Sequence, residues 1–257
     1  MGTKNISASI ISILVLASVA AVCFSFKKNK EQKIISIKTG GFAVVELFTS
    51  EGCSSCPPAD EALEAMSKKY QDNVYFLGFH VDYWNRLGWK DEFSNILYTS
   101  RQQQYAAIFN RDGIYTPQAI VNGNVQFVGS DEDRLNSEIK KQLSAAENTN
   151  PVINSVKVNG NNVEVDCKVN ESSNNILNVA LVQLQAVTDV KRGENEGRKL
   201  SHINIVRDFK TATEKNITNA VSLTIPEGVS PQQCKVIVYT QNSSTLKITG
   251  AAAAAIQ

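Results

Sequence analysis

Two cysteines separated by two serines are the residues of this sequence whose types and spacing most clearly indicate chemistry. Cys53 and Cys56 follow an apolar run, Gly41 to Phe48, which is typical of a strand buried on both faces of a sheet. Pro57 directly after Cys56 favours the first turn of a helix. A helix start stabilises a thiolate at Cys53, and Cys56 lies one turn later, where it can resolve a mixed disulfide. The pattern therefore predicts thiol–disulfide exchange at a strand-to-helix turn.

The same pair of cysteines has other interpretations. A zinc site needs a second pair of ligands at short spacing, and the sequence offers no such pair, since its two histidines are His80 and His202. A plain structural disulfide between Cys53 and Cys56 stays open. A third alternative is a soft-metal carrier that holds copper through Cys53, Cys56 and His80.

A second group of candidate residues follows the next buried strand, 73–81. His80 and Asp82 fall at the carboxyl end of that strand, the edge at which open α/β sheets keep their sites. Together with Tyr83, Trp84 and Trp89 they are predicted to line a wall that binds a peptide or partner. The alternative for His80 is a hydrogen-bonded structural residue.

The elements that position these residues are predicted from periodicity. A helix begins at Pro57, and residues 82–113 form an insertion with its own helix. The residues that recur at helical spacing in the insertion are Phe93, Leu97, Arg101, Tyr105 and Ile108. Asn122-Gly123 between two apolar runs predicts a hairpin, and an amphipathic helix follows it.

After Asn148–Pro151 the pattern changes to alternation with period two, which favours an all-β sandwich. We therefore predict two domains, 41–147 and 151–250. Cys167 and Cys234 share the inward parity of their strands and are either an inter-strand disulfide or two buried thiols.

The N-terminus and the charge distribution limit location and partners. Residues 6–26 carry no charge and predict a signal or transmembrane anchor (1–26), followed by a basic linker (27–40), with a cleaved signal peptide as the alternative. The lysines after residue 26 oppose export, because positive flanks normally stay inside. We nevertheless expect an extracytoplasmic protein, periplasmic or secreted, that contacts the membrane through residues 6–26. Residues 41–147 have nine basic against fifteen acidic residues, which argues against nucleic acid as a partner.

Five stretches of the sequence carry a resemblance to a known family. They are Val45–Asp60, Phe79–Trp84, Leu87–Asp91, Tyr115–Gln118 and Arg192–Arg198. On these stretches the sequence resembles the thioredoxin superfamily and, more narrowly, the secreted family catalogued as domain of unknown function 1223. The resemblance implies an α/β thioredoxin-like domain with a helical insertion, followed by a mainly antiparallel β-sandwich-like domain.

The resemblance also implies roles for three further residues. Thr116-Pro117 stands where thioredoxin-like proteins have a cis-proline, which would hold substrate beside the cysteines; a trans turn is the alternative. Glu46 is similar in place to a buried acid that relays a proton to the second cysteine, although the spacing is one residue longer. The alternative for Glu46 is a strand-end acid that points to solvent.

The charged run from Arg192 to Arg198 is a glycine-bounded loop between strands, by default a solvated hairpin tip. Because 41–147 is acidic, we expect Arg192 and Arg198 to bring this loop against that segment or against a partner. The leading functional prediction is a thiol–disulfide oxidoreductase that acts on protein or peptide thiols and disulfides, uses a redox partner, and needs no cofactor or metal. A thioredoxin-scaffold binding module is the alternative from another class.

Overall fold

The computed structural model describes residues 40–145, 151–169, 174–213 and 220–256. The predicted anchor and the linker up to residue 39 lie outside this range, so both stay predictions. Among the described residues, no helix has the length and apolar character needed to cross a membrane.

The described residues contain three α-helices, eleven strands and two single-turn 3-10 helices (Asn85–Leu87 and Pro231–Gln233). The first seven α-helices and strands are β1 (Ala43–Thr49), α1 (Pro57–Lys69), β2 (Val74–His80), α2 (Ile96–Ile108), β3 (Gln118–Val121), β4 (Val125–Val128) and α3 (Glu132–Leu143). The remaining strands are β5 (Val152–Asn159), β6 (Asn162–Lys168), β7 (Asn175–Asp189), β8 (Lys199–Thr213), β9 (Val221–Thr224), β10 (Cys234–Asn242) and β11 (Ile248–Ala255). The predicted hairpin is confirmed: β3 and β4 pair antiparallel, and Asn122 and Gly123 between them have φ of 48° and 62°.

One eight-stranded sheet contains strands from both predicted domains, in the order β11-β10-β7-β8-β2-β1-β3-β4. β1 and β2 are parallel, and β3 pairs antiparallel with β1. β8 lies beside β2 with Ile205 opposite Gly78. A Cβ atom at Gly78 would lie 3.4 Å from the carbonyl oxygen of Ile203, so glycine lets the two backbones approach closely here.

Helices cover both faces of the sheet around β1. On one face α1 and α3 bury side chains such as Leu63 and Ile139 against Val45 and Leu47. On the other face α2 packs its tyrosines onto a second cluster that reaches across to β10 and β11. The turn that follows β1 is therefore held from both sides.

The buried face of α2 follows only part of the residues that recur at helical spacing in the insertion. Leu97 is 61% exposed and Ile108 39% exposed, whereas Tyr98, Arg101 and Tyr105 are buried. The helix turns in this way because Arg101 finds a buried carboxylate, Glu46, on β1.

The strands β5, β6 and β9 form a separate antiparallel sheet. Its apolar residues pack onto β7, β10 and β11, with Val163, Val165, Val179 and Val236 in the shared core. Cys167 and Cys234 lie in the same core as free thiols, so of the two sequence alternatives the structure has the pair of buried thiols.

Candidate functional site

Cys53 and Cys56 form a disulfide at the start of α1, with their Cα atoms 5.4 Å apart. β1 ends at Thr49 and Cys56 is the N-cap residue of α1, so the pair occupies the predicted strand-to-helix turn. The amide of Cys56 donates to the carbonyl of Cys53 (3.1 Å), and the amide of Ala59 donates to the carbonyl of Cys56 (2.8 Å). The cysteines therefore lie at the positive end of the helix dipole, where a thiolate is stabilised.

Both cysteine side chains are fully buried. The loop between β7 and β8, residues 190–198, lies on the turn that contains them, and we call it the β7–β8 loop. The Glu194 carboxylate accepts from the amide (3.0 Å) and the hydroxyl (2.7 Å) of Ser54. Asn195 is buried, and its Nδ2 donates to the carbonyls of Glu51 (2.8 Å) and Cys53 (2.9 Å).

The loop thus contacts segment 41–147, as expected from the sequence, but through different residues. Arg198 Nη1 donates to Asn195 Oδ1 (3.0 Å) and so orients that amide, while Arg192 is exposed. The contacts with the cysteine turn come from Glu194 and Asn195, which sequence reasoning did not single out. The Ser54 hydrogen bonds hold the pKa of Glu194 below its usual value.

The peptide bond between Thr116 and Pro117 is cis, and it precedes β3. A Cβ atom at Gly129 would lie 3.3 Å from the Cβ atoms of both Pro117 and Ala59, so this proline lies near the first turn of α1. Trp84 Nε1 donates to Thr116 Oγ1 (2.8 Å). The structure therefore brings the cis-proline and the helix start of the cysteine turn together.

The residues of the predicted peptide-binding wall lie in two places: the tryptophans contact the cysteine turn, and Asp82 contacts α2. A Cβ atom at Gly52 would lie 3.0 Å from the Cβ atom of Trp84, so Trp84 flanks the cysteine turn. The neighbouring Tyr83 is half-buried, and its ring lies 6.3 Å from that of Trp84. Trp89 Nε1 donates to Glu51 Oε2 (2.7 Å). Asp82 instead accepts from the hydroxyl of Thr99 (2.6 Å), which ties the end of β2 to α2.

His80 is buried at the end of β2, where its Nδ1 lies 2.7 Å from Asp91 Oδ2. The same carboxylate accepts from the amides of Glu51 and Phe93, both at 2.9 Å. Burial would raise the pKa of Asp91, but His80 and these amides outweigh it and lower that pKa. Within the described ranges, no three His, Cys, Asp or Glu side chains are arranged to hold a metal ion.

Glu46 is fully buried on β1 and makes a buried ion pair. Its Oε1 accepts from Arg101 Nε (2.7 Å) and from the hydroxyl of Tyr239 (3.1 Å), and its Oε2 accepts from the hydroxyl of Tyr105. Burial opposes the charge of Arg101, yet Glu46 outweighs it and raises the pKa of that guanidinium. These contacts favour a structural ion pair, and the proton-relay role of Glu46 stays a prediction.

The structure adds a buried group that the predicted site did not include. His202 on β8 has its Nε2 3.5 Å from Glu51 Oε1 and its Nδ1 3.5 Å from Asp60 Oδ2. Its ring lies 4.8 Å from the ring of His80, measured between centroids. Glu51 stands two residues before Cys53, and Asp60 stands one helical turn after Cys56, which is the only local signal the sequence holds for this group.

Comparison with known proteins gives a family, and the matching solved structures include two described here. A family model described as a protein of unknown function (DUF1223) matches residues 44–241. The crystal structure of a protein from Agrobacterium tumefaciens, a structural genomics target, is 34% identical, with 84% of this chain and 95% of that chain covered and a TM-score of 0.58. HBP35 of Porphyromonas gingivalis is similar in fold, with 15% identity, 86% and 77% coverage and a TM-score of 0.53. Comparison with curated proteins found no significant match.

Proposed function

We propose that this chain, which belongs to the DUF1223 family of proteins of unknown function, is an extracytoplasmic thiol–disulfide oxidoreductase that acts through Cys53 and Cys56. The observation that carries the proposal is the disulfide in the turn before α1, with the cis Thr116-Pro117 bond near the first turn of the same helix. Thiol exchange needs a stabilised first thiolate and a second cysteine within reach, and this turn supplies both.

A thioredoxin-like first domain is part of the same proposal. The order β1-α1-β2 with parallel strands, followed by the antiparallel β3-β4 hairpin and α3, supports it. The packing of α1 and α3 on one face and α2 on the other also supports it. Membrane anchoring through residues 6–26, a separate redox partner and the lack of a nucleic-acid role belong to the proposal as well.

The thiol–disulfide exchange takes place in two steps, each of which forms one S–S bond and breaks another. A substrate thiolate attacks Cys53, the Cys53–Cys56 bond breaks, and its electron pair leaves on Cys56. A second substrate thiolate then attacks the substrate sulfur of the mixed disulfide, which releases an oxidised substrate and the reduced pair. The reverse sequence reduces a substrate disulfide at the expense of the cysteine dithiol.

Access to the disulfide needs movement of the β7–β8 loop, because both sulfurs are fully buried. The contacts that must open are the hydrogen bonds from Asn195 to Cys53 and from Ser54 to Glu194. Trp84 and Thr116, which are only partly buried, would then face the entering peptide.

The test uses the full chain purified in detergent, with dithiothreitol and a model protein disulfide. We expect turnover by the unchanged chain and none by Cys53→Ser, because the thiolate that attacks the substrate disulfide is gone. Cys56→Ser should accumulate mixed disulfides with substrate, since attack proceeds but resolution does not. Cys167→Ala, which changes a thiol of the other core, is the matched control, and turnover by Cys53→Ser equal to that of this control would refute the proposal.

Complete burial of the disulfide favours a second candidate, a binding module in which Cys53–Cys56 is only a structural bridge. A disulfide that closes so short a loop, with a separation of 3 residues, stabilises by roughly 2 kcal/mol in the chain-entropy treatment. If the bridge is structural, the double variant Cys53→Ala/Cys56→Ala loses this stability and reduction of the unchanged chain requires unfolding. If it is redox-active, dithiothreitol reduces it in the folded chain, as retained tryptophan fluorescence would show.

A further inference from the structure

Five buried ionisable side chains lie behind the cysteine turn, and we call them the carboxylate–histidine cluster: Glu51, Asp60, His80, Asp91 and His202. The exchange mechanism proposed above gives none of them a role. Removing charges from water costs several kcal/mol per ion unless they are well paired. A cluster of this kind beside a reactive pair is therefore a candidate for function as well as structure.

The cluster is attached to the disulfide on both sides. The carbonyls of Glu51 and Cys53 share the same donor, Asn195 Nδ2. The amide of Asp60 donates to the carbonyl of Cys56 (3.2 Å). One carboxylate thus belongs to the segment that leads into the disulfide and the other to the helix that leads out of it.

His202 stands between these two carboxylates. Each of its ring nitrogens faces one of them at 3.5 Å, which is at the long limit for a hydrogen bond. Only the doubly protonated imidazolium offers a donor to both, because a neutral ring has one N–H. Burial would lower the pKa of His202, but the Asp60 and Glu51 carboxylates outweigh it and raise that pKa to about 10.

The other charged side chains near His202 are His80, Asp91 and Arg207. His80, on β2, is engaged with Asp91, and Phe93 contacts both imidazole rings. Arg207, further along β8, lies over the ring of Phe93, 4.8 Å from its centroid. His202 is therefore the one cation in direct contact with Glu51 and Asp60 among the described residues.

The charge count changes when the disulfide is reduced. The oxidised pair is neutral, and Glu51, Asp60 and the His202 imidazolium together carry a net charge of −1. Reduction by a dithiol moves two electrons onto Cys53 and Cys56, one sulfur takes a proton, and the other becomes a thiolate. The new anion then lies in the buried turn between the residues that carry the two carboxylates, where charges interact more strongly than in bulk water.

We propose that His202 is a positioning residue for the redox pair: its imidazolium, clamped between Glu51 and Asp60, is the buried counter-charge that lets the reduced pair hold a thiolate. This inference rests on the proposed function and deepens it. It also means that β8, a strand of the predicted second domain (151–250), directly affects the reactivity of cysteines in the predicted first domain (41–147).

A purely structural role for His202 makes a different prediction. If the ring only pins β8 to the cysteine turn, any substitution in the cluster loosens the turn, and the resulting changes have no relation to charge. If the ring acts by charge, removing the cation and removing an anion must change the thiolate in opposite directions. The sign of the change in the Cys53 thiolate pKa therefore separates the structural role from the charge role, even where the variants lose stability.

The experiment compares His202→Gln with Asp60→Asn and Glu51→Gln in the full chain. After reduction by dithiothreitol, the pKa of Cys53 is read from the pH dependence of its alkylation by iodoacetamide, followed by mass spectrometry. The reduction potential at pH 8 is read from equilibrium with dithiothreitol. Leu200→Ala, a cavity variant at a buried apolar position on the same strand, is the control for lost stability.

We expect His202→Gln to raise the Cys53 pKa by about one unit and to make the pair about tenfold harder to reduce, which is about 30 mV for two electrons. Asp60→Asn and Glu51→Gln should shift both readings the other way, and Leu200→Ala should shift neither. Shifts of the same sign in His202→Gln and Asp60→Asn, or no shift in either, would overturn the inference. Failure of the proposed function is a separate result, because it appears as absent turnover in the unchanged chain.

Discussion

At the scale of single residues, the buried ion pair of Glu46 and Arg101 shows how charge is accommodated inside this protein. The Arg101 guanidinium lies 5.0 to 5.7 Å from the ring centroids of Phe79, Tyr105, Phe209 and Tyr239. Aromatic faces attract cations, so the rings compensate part of the lost hydration. The Glu46 carboxylate balances the charge, and Arg101 Nη2 also donates to Tyr105 Oη and Gln241 Oε1, both at 3.2 Å.

Removal of the Glu46 charge should therefore destabilise the protein strongly. We expect Glu46→Gln to lower the free energy of unfolding by about 3–5 kcal/mol, because it leaves the buried Arg101 without its counter-ion. Urea unfolding followed by tryptophan fluorescence measures this. The double variant Glu46→Leu/Arg101→Met should recover part of the loss relative to Glu46→Leu, since no uncompensated charge remains. A loss below about 0.5 kcal/mol in Glu46→Gln, typical of an exposed site, would contradict the role assigned to the pair.

At the scale of elements, the β7–β8 loop lies on the turn that contains the disulfide and is hydrogen-bonded to it. Gly193 has φ of 81°, and a Cβ atom there would lie 3.3 Å from the Cβ atom of Trp89, so the loop is shaped closely to the segment that follows β2. Its turn is closed by hydrogen bonds between Val190 and Arg198 and between Gly197 and Val190, both 2.9 Å. These bonds lie within the loop and do not depend on its contacts with the cysteine turn.

Loosening this loop should expose the disulfide. Asn195→Ala removes the two hydrogen bonds to the carbonyls of Glu51 and Cys53, each worth about 1 kcal/mol. We expect dithiothreitol to reduce the Cys53–Cys56 disulfide about threefold to thirtyfold faster, because the open form becomes more populated. Arg192→Ala, an exposed position in the same loop, should leave the rate unchanged. Equal rates for Asn195→Ala and the unchanged chain would mean that the loop does not limit access.

The difference between what the sequence predicts and what the structure adds follows from the range of the interactions. The cysteine turn, the hairpin at Asn122-Gly123 and the start of α1 depend on neighbours in sequence, and local patterns predicted them. Contacts of Asn195 and His202 with the cysteine turn join residues more than a hundred positions apart. Nothing in local periodicity carries that information. The resemblance to a family marked the run around Asn195 as significant but could not say which of its residues touch the disulfide.

At the scale of the whole molecule, the two predicted domains are linked by more than the seam between β2 and β8. One hydrophobic core contains Phe79 and Tyr105 from the first segment together with Tyr239 and Ala251 from the second. The hydroxyl of Tyr98 also donates to the carbonyl of Val206 on β8 (3.1 Å). Segments that share a sheet and a core in this way should lose their structure together.

Unfolding should accordingly be one transition when it is observed from both segments. The two tryptophans, Trp84 and Trp89, report on the cysteine turn, and the buried thiols of Cys167 and Cys234 report on the second core. In a chain with Cys23→Ser and the disulfide intact, we expect urea to change the fluorescence and to expose the thiols to maleimide with the same midpoint. The slope of the free energy of unfolding against urea concentration scales with the surface area exposed on unfolding. We therefore expect a slope that corresponds to the combined surface of both segments. Independent domains would instead give a fluorescence transition that is complete while the thiols remain protected, or the reverse, each with the smaller slope of a half-sized unit. That outcome would also remove the basis for His202 on β8 acting on the cysteines, because β8 would no longer be held against the cysteine turn by a common core.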